Sequence, residues 1–185
     1  MASTRPALDP IAEARRQWID HGWPDAADGM AVVTSIMRVQ QLMLADIDEV
    51  LKAFEVTFAR YEILTLLSFS GTGAMPIGKV GARLQVHPTS VTPAVERLER
   101  QGLVRRSAHP TDGRTTLVEI TPAGRELSRR ATRELNDQVF ERLGLSDADT
   151  GQLLDLLGRY RSVAEAEAVQ AETAQISGRP DTLDP

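Results

Sequence analysis

The chain has 185 residues, 42% hydrophobic and 4% aromatic, with a net charge of −5, which suffices for one domain with a real core. It has no cysteine, which excludes disulfides, thiolate redox sensing and cysteine-ligated zinc. No segment reads as apolar enough to span a membrane and no signal peptide is visible, so a soluble cytoplasmic protein is expected.

Residues 1–9 are expected to be disordered. Pro10 to about His21 reads as an N-terminal helix. Met30 to about Phe54 reads as a long one, with apolar positions Val33, Ile36, Met37, Leu44, Ile47 and Leu51. Ala59 to about Ser70 forms a third, broken by Gly71-Thr-Gly73. Ala74-Met-Pro-Ile77 is a candidate short strand. Ile77, Val80 and Leu84 mark a short amphipathic helix, and Gln85-Val86-His87-Pro88 a tight connection.

Pro88 suits a first helical position, where a missing N–H costs nothing. Val91, Ala94, Val95 and Leu98 then fall on one helical face, and Gly102 suits a left-handed stop. The other face carries Thr89, Ser90, Thr92, Pro93, Arg97 and Arg100. Hydroxyls and methyls there can meet base edges, and arginines can hold phosphates or guanine. Pro93 removes a backbone hydrogen bond inside the helix; it either bends the helix start or presents an apolar edge to a base. Two short helices joined by such a turn form a helix-turn-helix, an ordinary α-hairpin being the alternative.

Leu103 to His109 and Thr115 to Ile120 read as paired strands around Pro110-Thr-Asp-Gly-Arg114, a strong Asp-Gly turn signal. This is a β-wing. Arg114 at its tip can enter a narrow minor groove, and Asp112 can brace it by a charge-assisted hydrogen bond. Pro122 to about Leu143 reads as a long helix. Ser146-Asp-Ala-Asp149 opens a last one reaching about Glu172, and residues 177–185 are expected to be disordered. Leu143, Leu145, Leu153, Leu154, Leu156, Leu157, Val163 and Val169 need apolar partners. Interleaving the terminal helices of two chains would supply them, so a two-fold homodimer is expected.

The run from Ile77 to Arg125 resembles the winged helix-turn-helix of the MarR (multiple antibiotic resistance regulator) family. The likeness lies in Ser90-Val-Thr92, in Val95-Glu-Arg-Leu-Glu99 before Gln101-Gly-Leu-Val104, in Asp112-Gly-Arg114, and in Val118-Glu-Ile-Thr-Pro-Ala-Gly-Arg125. One departure is His87, where the family usually has a serine or similar cap. The resemblance implies that Thr89, Ser90, Thr92, Pro93 and Arg97 face the major groove, with Arg114 in the minor groove and Asp112 behind it. Lys79, Arg83, Arg100, Arg105 and Arg106 are assigned to the DNA backbone. It also implies a dimer and a pocket for a small aromatic effector, with Trp18, Met37 and Tyr61 as candidate contacts. Trp18 is similar to a feature of the urate-responsive branch, but Glu62 and Phe69 stand where that branch has an aspartate and an arginine.

The expected fold is mainly α with a small β-wing: a winged helix-turn-helix DNA-binding domain plus a helical dimerisation domain. Residues 10–58 form its N-terminal dimerisation and pocket part, 59–121 the reading head, and 122–172 the C-terminal dimerisation helices. Between Lys79 and Arg130, ten Lys/Arg stand against five acids. A basic head on an acidic body fits steering toward double-stranded DNA. His21, His87 and His109 are scattered, and no phosphate loop or dinucleotide fingerprint occurs. The expectation is therefore no enzyme, no cofactor, no metal and no membrane. The functional reading is a sequence-specific regulator, a repressor binding a pseudo-palindrome. The alternative is a winged helix used for protein contact or dimerisation, as in some methyltransferases, without specific DNA readout.

Overall fold

The computed structural model describes residues 9–108 and 115–177. The described residues form two compact units that divide between Glu141 and Arg142. In the first, the helices are α1 (Pro10–Asp20), α2 (Pro24–Lys52), α3 (Phe58–Phe69), α4 (Ile77–Leu84), α5 (Pro88–Arg100) and α6 (Pro122–Gln138). Three short strands interrupt them: β1 (Ala74–Pro76), β2 (Val104–Ala108) and β3 (Thr116–Ile120). The second unit contains α7 (Asp147–Ser177).

Most of the expected elements form, with shifted ends. The N-terminal helix starts where Asp9 accepts from the Ile11 N–H at 3.0 Å. The long helix begins at Pro24 rather than Met30, because a proline fits the first turn and Gly29 is tolerated inside a helix. α6 stops at Gln138, five residues before the expected end. A 3-10 turn at Phe140–Arg142 follows, and Gly144 at φ 71° completes the break. α7 starts as expected: Ser146 Oγ accepts from the Asp149 N–H at 3.2 Å and donates to its carboxylate at 2.6 Å. It runs to Ser177, beyond the expected Glu172.

The sheet has the order β1-β3-β2, all antiparallel, with Met75 opposite Val118 and Arg106 also opposite Val118. Val118 therefore lies at its centre and is fully buried. The core gathers Leu51 of α2, Ile63, Leu64 and Leu67 of α3, Val80 of α4, Val95 and Leu98 of α5, and Leu135 of α6. Two hydroxyl pairs tie α3 to α6: Tyr61 to Thr132 at 2.9 Å and Thr65 to Ser128 at 3.1 Å.

α2 departs from the sequence reading in a second respect. An 18-residue stretch of it averages a hydropathy of 1.2, enough by length and composition to cross a membrane. This corrects the expectation that no segment is that apolar. Of the α2 residues, Ala27, Ile47 and Leu51 are buried in this chain, and most of the other apolar ones are exposed. Val32, Ile36, Val39 and Met43, at 40–55% exposure, recur at the 4-3-4 spacing of a coiled-coil seam.

Candidate nucleic-acid interface

α4 and α5 make the helix-turn-helix. Gln85 takes a left-handed φ of 53° to end α4, and the Val86 N–H returns to the Gly81 carbonyl at 3.1 Å. Gly81 is close to both neighbours: a Cβ there would lie 3.2 Å from Val91 Cγ2 and 3.4 Å from the Val86 carbonyl oxygen. This small residue lets α5 approach α4.

His87 proves to be a working cap. Its Nδ1 accepts from the Thr89 N–H at 3.3 Å and lies 2.7 Å from the Thr89 hydroxyl. The imidazole nitrogen thus satisfies one of the orphan donors at the helix start, as a serine oxygen would. Replacing His87 with alanine should cost about 1 kcal/mol of stability, and replacing it with serine should restore most of that. Urea unfolding of the two variants checks this; equal losses in both would mean the ring acts by packing and not as a cap.

The far end of α5 closes with paired returns, Gly102 N–H to Glu99 O and Leu103 N–H to Leu98 O, both 2.9 Å. Gly102 sits at φ 71°, so this is a Schellman stop. Pro93 is accommodated within the unbroken helix, and its missing N–H leaves the Thr89 carbonyl without its usual partner.

Val91, Val95 and Leu98 are sealed inside, so Thr89, Ser90, Thr92, Pro93, Arg97 and Arg100 are all exposed. The structure thus brings the residues assigned to the major groove together on one face. Lys79 and Arg83 are exposed on α4. The wing arginines differ from them. Arg106 is held internally: its Nε donates to Glu99 at 2.7 Å, its backbone N–H donates to the same carboxylate at 3.0 Å, and Glu96 lies 3.5 Å away. These bonds, the backbone one first, hold the Glu99 carboxyl below its usual range. They lash α5 to β2. Arg105 donates to Glu119 at 2.7 Å on the neighbouring strand, which raises its own pKa. Asp112 and Arg114, assigned to the wing tip, lie outside the described residues.

The sequence reading passed over Arg60. It stands on α3, beside Arg97, and its pKa is lowered by burial and then by the Arg97 charge. Its partners Glu55, Thr57 and Gln101 come from the chain before α3 and the end of α5. No local pattern could have announced that meeting.

The candidate effector contacts stand on three different helices, α1, α2 and α3. Trp18 stacks obliquely near Trp23 at 5.4 Å, and Met37 is exposed midway along α2. Tyr61 is 5% exposed, with its hydroxyl committed to Thr132. A cleft of about 290 Å3 lies instead between Ser68, Phe69, Arg125, Ser128, Arg129 and Thr132. No cluster of three or more potential metal ligands occurs among the described residues.

Comparison with known proteins supplies a family. A sequence model of the MarR family matches residues 56–116. An uncharacterised HTH-type transcriptional regulator of Mycobacterium leprae is 33% identical over 93 residues, covering 50% of this chain and 65% of that protein. The chain thus matches just under two thirds of that relative's length. Among solved structures, Sco5413, a MarR family transcriptional regulator from Streptomyces coelicolor, is 45% identical. It superposes with a TM-score of 0.69, covering 75% of this chain and 96% of Sco5413. Sco3205, a MarR family transcriptional regulator from the same organism solved in complex with DNA, is 25% identical with a TM-score of 0.65. That match covers 76% of this chain and 88% of Sco3205.

Proposed function

The chain belongs to the MarR family, and from that we propose that it is a homodimeric repressor, two copies seating their α5 helices in successive major grooves of a pseudo-palindromic operator. One observation carries the reading. α5 shows short hydroxyls and guanidiniums to solvent while its other side is locked into the core. A rigid helix with that chemistry can meet base edges and phosphates together. The relative solved with DNA supports this docking. In the proposal Thr89, Ser90, Thr92 and Pro93 meet bases, Arg114 enters the minor groove with Asp112 bracing it, and Lys79 and Arg83 hold the backbone. Repression follows from occluding a promoter in the cytoplasm.

The homodimer is supported by the exposed apolar seam of α2, and independently by Leu153, Leu154, Leu156, Tyr160 and Val163, all exposed on α7. Apolar surface of that extent is stabilised by a second copy. A small aromatic effector completes the proposal by shifting the dimer between conformers of different DNA affinity. Trp18 and Met37 have the exposure to contact it, whereas Tyr61 is held in the core.

Replacing Ser90 or Thr92 with alanine should cost about 1–3 kcal/mol of operator affinity and relax the preference at one base pair per half-site. Selection from a randomised operator reads this directly. A loss uniform over all sequences would show that these hydroxyls touch only phosphates.

A further inference from the structure

Arg60, Arg97 and Arg100 line a single cleft of about 210 Å3 together with Gln101. Arg60 is anchored on one side: Nη1 donates to the Glu55 carbonyl at 3.2 Å and to Gln101 Oε1 at 3.1 Å, and Nε donates to Thr57 Oγ1 at 3.3 Å. Gln101 is fixed in turn by its own bond to the Glu55 carbonyl at 3.0 Å. That carbonyl is presented by a left-handed turn at Glu55, φ 56°, a conformation unfavourable for a non-glycine residue. The whole arrangement leaves the Nη2 edge of Arg60 without an acceptor among the described residues. Among the described residues Arg97 makes no side-chain hydrogen bond, and Arg100 reaches only the Glu96 carbonyl, at 3.4 Å. None of the three forms an ion pair with a described carboxylate, although Arg105, Arg106 and Arg129 all do.

Three like charges facing one cleft with no counter-charge among the described residues are unfavourable in the free protein and call for an anion. Guanidinium donors in a fixed fork match a phosphate. Position selects which anion. Arg97 stands beside Arg60 of α3, so it lies on the α3 flank of α5, with Arg60 set back on the neighbouring helix. When the outer ridge of α5 enters a groove, this flank meets the sugar–phosphate strand at its rim.

We propose that the Arg60–Arg97–Arg100 cleft seats one phosphate of the DNA backbone and so fixes the depth and register of α5 in the groove. Arg97 is then a phosphate ligand and not a base reader, and Arg60 is a DNA contact outside the helix-turn-helix and wing. The proposal rests on the DNA-binding reading above.

The test is fluorescence anisotropy of the full chain with a labelled random-sequence duplex and with a selected operator, over a salt series. Arg60→Gln should weaken both duplexes by the same factor, about three- to tenfold, and lower the slope of log affinity against log salt by about 0.9. Because Arg60 also holds Glu55 and Gln101, Arg97→Gln is measured beside it. Its side chain makes no hydrogen bond or ion pair among the described residues, so its fold should be untouched, and it should show the same slope loss. The double variant should lose less than the sum of the two, since both serve one phosphate. Unchanged slopes, or a loss confined to the operator, would overturn the proposal. So would Arg60→Gln abolishing stabilisation by inorganic phosphate while leaving the DNA slope intact, because the cleft would then serve a free anion. A wild-type protein that binds no duplex at all would bring down the DNA-binding reading and this proposal with it. Normal wild-type binding with unaltered variants would bring down the cleft alone.

Discussion

Replacing Gly124 with alanine should lower the free energy of unfolding by about 3 kcal/mol, toward the upper end of what overpacking costs. Gly124 lies in the first turn of α6, where that helix crosses the strand leaving α5. A Cβ there would overlap the Leu103 carbonyl oxygen and come within 2.9 Å of Ile120 Cγ1. The oxygen is poorly placed to yield. It accepts from the Thr121 N–H at 3.1 Å and lies at the same distance from the Thr121 hydroxyl, which itself caps α6 by accepting from the Gly124 N–H at 3.1 Å. Moving it disturbs the end of α5, the wing and the start of α6 together. The better helix propensity of alanine returns only about 1 kcal/mol. Urea unfolding gives the number. Gly81→Ala, whose added atom would meet Val91 Cγ2 at 3.2 Å, should cost clearly less. An unfolding midpoint for Gly124→Ala equal to wild type would mean that the α6 crossing is looser than the structure has it.

Placing aspartate at Ile36 should break the proposed dimer while leaving each chain folded. Ile36 is 40% exposed in the single chain, flanked along the same seam by Val32, Val39 and Met43. A carboxylate at such a position costs the isolated chain little. Buried between two copies without a partner, it would cost about 3–5 kcal/mol, which raises the dimer dissociation constant by about two to four powers of ten. Light scattering after size exclusion should give one chain mass for Ile36→Asp and two for wild type, with unchanged helical circular dichroism. Binding to a full operator should fall to the level of one half-site. A variant that remains dimeric would place the interface away from this seam.

The parts of the fold legible in the sequence were those encoded locally. Pro88, Gly102 and Pro122 mark helix ends by backbone chemistry that acts within a few residues, and each marks a boundary in the structure. The inward Val91, Val95 and Leu98 followed from helical periodicity alone. What escaped was set by partners distant in the chain. Arg106 reads as one more basic residue until folding places Glu99 and Glu96 against it. Arg60 reads as an ordinary surface residue until Gln101, from the end of α5, arrives beside it. His87 departs from the family's usual cap residue, yet an imidazole nitrogen serves the same orphan donor. The early start of α2 was missed because Gly29 weakened a pattern that Pro24 had already opened.

In the proposed function, paired α5 helices read a DNA sequence. A mobility-shift titration of the purified protein against the DNA upstream of its own gene, at two salt concentrations and with a scrambled duplex as control, tests it most directly. The expected result is a dimer complex on the upstream DNA, tight and sequence-dependent, weakening steeply as salt rises. The same affinity for the scrambled control, in a protein whose selection from random duplexes also yields no preferred sequence, would contradict it.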